Sequence, residues 1–195
     1  MKVIIFSILS LSLALMFSDV THAGDSYAHF DDKGQLERPM GYREWIFIGA
    51  PLTPNDMNDG KAAFPEFHNV YIDPASWAVW KKAGEFRDGT VIIKELVSVG
   101  SKSTYSGNGY FMGDYIGLEA MVKSKKRFPK SNGNWGFFRF TNDNYKGLKK
   151  SANVLPQKVC MSCHTPNAKY DNVFTQHYPV LRAAKSKGEA GVGGK

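Results

Sequence analysis

Hydrophobic residues fall along the chain in short runs separated by glycine, proline and polar clusters, and the period within most runs is two. Glu44-Trp45-Ile46-Phe47-Ile48 is a short β-rich run, and Phe67 to Ile72 reads as a strand. Thr90 to Val99 (TVIIKELVSV) is the longest β-branched run, Tyr110 to Val122 forms a second long strand region, and Asn134 to Thr141 a third. In the last, alternation puts Trp135 and Phe137 on one face and Phe138 and Phe140 on the other. Helical signals are fewer. Asp73-Pro74 has the form of an N-cap with proline at the first helical position, opening a helix with Trp77, Trp80 and Lys81 that stops at Gly84. Thr53-Pro54 carries the same signal for a brief turn that fails at Asp59-Gly60. Arg87-Asp88-Gly89 and Gly107-Asn108-Gly109 read as turns, one helix leads into Cys160, and another follows Tyr178-Pro179. The glycine-rich tail begins at Gly188. The fold class this predicts is α+β: a mostly antiparallel β-sheet with flanking helices, concentrated toward the C-terminal end.

One apolar run belongs to neither a sheet nor a core helix. Met1-Lys2 is a short basic start, Val3 to Phe17 is apolar apart from small hydroxyls, and Thr21-His22-Ala23 offers small residues where a signal peptidase reads. Residues 1–23 are expected to be a cleaved signal peptide, residues 24–195 one domain, and the location periplasmic. The alternative is a retained anchor, disfavoured because the run is short for a stable span and lacks stop-transfer charges.

Composition narrows the function classes. With 195 residues, 43% hydrophobic and 22% charged, the chain suits one globular domain and excludes a disordered or multi-span protein. The net charge is +7, with basic residues clustered at Lys123, Lys125, Lys126, Arg127, Lys130 and again at Lys146, Lys149, Lys150. No nucleic-acid motif accompanies them, and an exported protein seldom meets nucleic acid, so that class is set aside. A solvated basic face and a docking patch for an acidic redox partner remain.

The chemistry lies in Cys160-Met161-Ser162-Cys163-His164, a C-x-x-C-H sequence that contains both cysteines of the chain. This is the c-type haem attachment signature. Thiols one helical turn apart reach two vinyl groups, and the adjoining histidine faces the iron as proximal ligand. A thioredoxin-like pair would need a βαβ context, and a zinc site two more ligands at regular spacing; neither is present. No methionine follows the motif, and the mature chain's methionines (Met40, Met57, Met112, Met121, Met161) lie at or before it. His177 is the one downstream histidine, open to ligation but more often a surface residue. The economical inference is a five-coordinate iron with an open face, suited to binding or chemistry rather than simple electron relay.

A late motif with an open iron also occurs in the four-helix cytochromes c-prime, whose bundle does not suit these β-runs. The chain instead resembles the cytochrome P-460 family at Tyr42-Arg43-Glu44-Trp45, Phe64 to Pro74 (FPEFHNVYIDP), Lys94-Glu95-Leu96-Val97 and Gly109 to Tyr115 (GYFMGDY). The likeness continues through Cys160 to His164, Phe174 and Tyr178-Pro179-Val180-Leu181. This resemblance implies a periplasmic homodimer with one covalent haem per chain that oxidises hydroxylamine to nitrous oxide and passes electrons to another cytochrome.

It also implies two further site residues. Lys94 matches the lysine that bonds a haem meso carbon; by its own pattern it is a lysine in an apolar strand, sharing a face with Ile92 and Leu96, or else an edge-strand gatekeeper. Apolar surroundings would make the neutral amine that such a bond requires easier to reach. Glu119 matches a distal carboxylate positioned to take protons from substrate. Strand parity groups it with Tyr115 and Met121 and leaves both a haem-facing and a solvent-facing orientation open. Phe64, Phe67, Phe111, Phe137 and Phe138 are candidate pocket walls, or plain core. The alternative function is a β-fold cytochrome c-prime relative that captures nitric oxide in an apolar pocket and oxidises nothing.

Overall fold

The computed structural model describes residues 26–143 and 146–185. The signal-peptide expectation and the tail from Gly188 lie outside them. In chain order the strands are β1 (Leu36–Glu37), β2 (Ile46–Gly49), β3 (Phe67–Ile72), β4 (Val91–Val99), β5 (Ser103–Thr104), β6 (Gly107–Asn108), β7 (Met112–Lys123), β8 (Trp135–Arg139) and β9 (Ser151–Ala152). The α-helices are α1 (Pro74–Ala83), α2 (Gln157–Asn167) and α3 (Pro179–Lys185). A five-stranded sheet in the order β2-β3-β4-β7-β8 is antiparallel throughout. The α+β expectation holds.

Each face of this sheet carries its own core, as the period-two pattern requires. On one face Ile48, Val70, Ile72, Ile92, Met121, Trp135 and Phe137 pack with Trp80 of α1 and Leu181 of α3. On the other, Val91, Ile93, Leu118, Ala120, Val122, Phe138 and Phe140 pack with Leu36, and Tyr27, Phe30, Tyr42 and Trp45 of the N-terminal segment cover them. β4, apolar on both sides, is central for that reason.

Asp73 ties a helix to this sheet. One carboxylate oxygen accepts the Ser76 amide at 2.8 Å, capping α1, and the other accepts the Val91 amide at 2.8 Å where β4 begins. The helix ends at Gly84, whose φ of 70° is the left-handed C-cap conformation.

Two turn expectations are corrected. Thr53 does not cap a helix: its hydroxyl donates to the Phe64 carbonyl at 2.6 Å, and Pro54 precedes the short 3-10 turn Asn55–Met57. Gly107-Asn108 is strand, paired with Ser103–Thr104, and Tyr105-Ser106 makes the turn. Pairing to the preceding strand draws Gly107 and Asn108 into the ladder despite their turn chemistry.

Candidate haem site

Register decides which side chains meet. Lys94 lies opposite Val70 of β3 and Glu119 of β7. Residues directly opposed in an antiparallel ladder project to one face. Lys94 and Glu119 therefore share the face of His68, Ile92, Leu96, Met121 and Phe137. Lys94 Nζ stands 2.6 Å from Glu119 Oε2, with the side chains 25% and 23% exposed. The Phe64 ring lies against the ammonium, 4.4 Å from centroid to Nζ. Because β4 has a neighbour on each side, the edge-gatekeeper account of Lys94 fails.

Tyr115 does not join this face. An irregularity after Leu96 sets Gly117 opposite Leu96 and Tyr115 opposite Val97, so Ile116 is an extra residue on β7 and the parity reverses there. Tyr115 instead receives the Arg43 guanidinium over its ring, at 4.2 Å, and Arg43 pairs with buried Glu95 on the opposite face. Tyr42 also donates to Glu95, and burial with that carboxylate pushes the phenol's pKa well up.

α2 carries the motif onto the face of Lys94, packing on β8. No residue of this helix is fully buried; Cys160 and Met161 rest partly covered against the cluster containing Met121 and Phe137, and Cys163 is exposed. No disulfide joins the two cysteines. The His164 ring sits edge-on between Phe137 and Phe174, at centroid distances of 4.7 and 4.8 Å. Its Nδ1 lies 2.8 Å from the Asn172 carbonyl oxygen. A carbonyl only accepts, so Nδ1 carries the proton and Nε2 keeps its lone pair for a metal.

The electrostatics join the two halves of the site. Burial lowers the His164 pKa; the Asn172 carbonyl opposes this, Lys94 adds to it and Glu119 opposes it. Burial raises the Cys160 thiol pKa, with Glu119 adding and Lys94 opposing. Lys94 and Glu119 thus act on thiol and imidazole alike.

Other candidates fall away from the site. His177 is exposed at the end of the 3-10 turn Thr175–His177, where it stacks on Phe174 at 6.1 Å. Phe138 belongs to the core of the opposite face, and Phe67, opposite Val97, projects there too. Phe111 pairs through its backbone with Gly100 and Ser101 just past the end of β4. Phe64, against Lys94, and Phe137, against His164, are the walls the contacts show.

One residue escaped the sequence reading. His68 is largely buried, and its Nε2 is shielded from solvent with no hydrogen-bond partner. Burial, with Lys94 adding, pushes its pKa down to about 4. Its ring meets Phe64 edge-on at 5.8 Å. Alternation along Phe67–Ile72 was the available signal, since it sets His68 on the side opposite Phe67 and Tyr71.

Among the described residues, no group of three or more His, Cys, Asp or Glu side chains is placed to hold a bare metal ion. The donor set is instead two thiols one helical turn apart and one imidazole with its Nε2 available between aromatic walls, which fits a haem. Sheet and donor set together define a c-type haem protein on an antiparallel scaffold. The family model for Cytochrome P460 matches residues 39–175, and the chain belongs to that family. No curated protein matches the chain.

Proposed function

We propose that this protein oxidises hydroxylamine to nitrous oxide, with nitric oxide as a side product, at a haem tethered by Cys160 and Cys163, ligated by His164 and cross-linked through Lys94. The observation that carries the reading is the direct Lys94–Glu119 pair on the sheet face that α2 covers with Cys160 and His164. A haem held there supplies an iron that accepts electrons from a small nitrogen substrate. The balance is two hydroxylamine molecules to one nitrous oxide and one water, releasing four protons and four electrons. An electron-accepting cytochrome takes the electrons.

The chain's own residues supply the rest. Glu119, an acceptor on both oxygens when ionised, receives protons leaving the substrate nitrogen. Lys94, opposite Glu119 in the ladder, holds that carboxylate's strand in register with the macrocycle it bonds. Phe64 and Phe137 limit water on this face. A nitric oxide trap would present an apolar pocket, and Glu119 on the shared face weighs against it.

The protein acts in the periplasm as a homodimer. No helix among the described residues is long and apolar enough to cross a membrane.

The test is the ferrous absorption spectrum of the exported protein, followed by turnover with hydroxylamine and an electron acceptor. A red-shifted, broadened Soret band with nitrous oxide production is expected. An ordinary c-type band without turnover would overturn the proposal.

A further inference from the structure

The carbonyl that binds His164 belongs to an unusual piece of backbone. Tyr170 and Val173 pair as a two-residue hairpin, and the residues between them, Asp171 and Asn172, have φ of 45° and 57°. Two consecutive left-handed residues make a type I′ turn, which costs energy for non-glycine residues unless the surroundings hold it. Here they do. The Lys123 ammonium donates to Asp171 Oδ2 at 2.8 Å and to the Gly133 carbonyl at 2.6 Å, with its side chain only 12% exposed. The Asn172 side chain is held from three directions: it donates to the Asn132 carbonyl and accepts from Asn132 Nδ2 and Thr165 Oγ1, at 3.2 to 3.3 Å. Gly133 closes the contact. A Cβ there would stand 2.5 Å from Asp171 Oδ1 and 2.9 Å from Asn172 Nδ2.

We propose that Lys123, through Asp171, is a positioning residue for the proximal ligand: it clamps the turn so that the Asn172 carbonyl holds the His164 Nδ1 proton, and by this sets the electron donation of Nε2 to the iron. The inference rests on His164 being the ligand. A firm Nδ1–H···O bond raises imidazole basicity, strengthens the iron–nitrogen bond and favours the oxidised metal. Lys123 stands in a basic run of the sequence, but it ends β7 opposite Trp135 and turns inward.

The direct charge effect and the clamp predict opposite signs, which makes the idea testable. Deleting a positive charge near the iron favours the oxidised form and lowers the midpoint potential. Loosening the carbonyl raises it.

The experiment compares haem-loaded wild type, Lys123→Met and Lys123→Arg by resonance Raman of the ferrous iron–histidine stretch and by redox titration, after a haem stain shows equal loading. Lys123→Met should move the stretch to lower frequency. It should also shift the redox equilibrium about threefold toward the reduced form, ~28 mV upward at 59 mV per decade. Lys123→Arg, which keeps charge and donors, should restore both. If Lys123→Met does not fold, Asp171→Asn, which keeps the turn's side-chain shape but weakens the clamp, should show the same lower stretch. An unchanged stretch, or a potential that falls, overturns the clamp. Absence of any iron–histidine band in the wild type would instead overturn His164 as ligand.

Discussion

Lys94 and Glu119 oppose one another across β4 and β7, with Nζ and Oε2 2.6 Å apart, on the face that the C-x-x-C-H helix covers. Because the contact is part-exposed, its direct worth to stability is below about 1 kcal/mol. Its significance is positional: whatever bonds Lys94 is delivered beside Glu119.

Lys94→Met is therefore expected to leave the protein folded and haem-loaded while moving the ferrous Soret band to the ordinary c-type position. In the native protein, proteolysis should release a haem peptide joining the Lys94 segment to the Cys160–Cys163 segment. A haem peptide without the Lys94 segment would refute the cross-link.

Glu119→Gln retains the size and polarity of the side chain but loses the base. Hydroxylamine turnover should fall by about a hundredfold, the lower range for a removed general base, with haem content unchanged. Equal steady-state rates in the two proteins would assign proton removal to another group.

His68 links the site to pH. Its folded pKa, pushed down to about 4 by burial and by Lys94, lies below the ~6.5 of an unfolded histidine, so between these values the unfolded chain binds the extra proton. Stability then rises with pH across this window and is lost as pH falls through it, by on the order of 3 kcal/mol for this group. Urea midpoints for wild type and His68→Leu at pH 7 and pH 4.5 should show a smaller acid loss in the variant. Parallel losses would mean that His68 is not the titrating group.

Asp73→Ala should be among the most damaging substitutions outside the site. It strips acceptors from the Ser76 and Val91 amides at once, both within a fully buried junction. Two unsatisfied donors at about 1–3 kcal/mol each suggest a loss of about 3 kcal/mol, read as a lower denaturation midpoint. A change under about 1 kcal/mol would show that water replaces the carboxylate.

Legibility followed the range of the interaction. Strand periodicity, the Asp73-Pro74 start and Gly84 stop of α1, the split of Trp135 and Phe137 from Phe138 and Phe140, and the C-x-x-C-H turn all arise from neighbours within a few residues. They could be read directly from the order of side chains. The orientation of Glu119 could not: parity groups it correctly with Met121, but which face the motif helix covers is set by packing, and the extra residue Ile116 splits Tyr115 from that group. His68 Nε2 looked like one more strand position until burial left it without a partner. The Asn172 carbonyl on His164, and Lys123 behind it, depend on two left-handed residues held by groups far away in the chain. Asp and Asn tolerate that turn locally, but contacts from far along the chain are what fix it against His164.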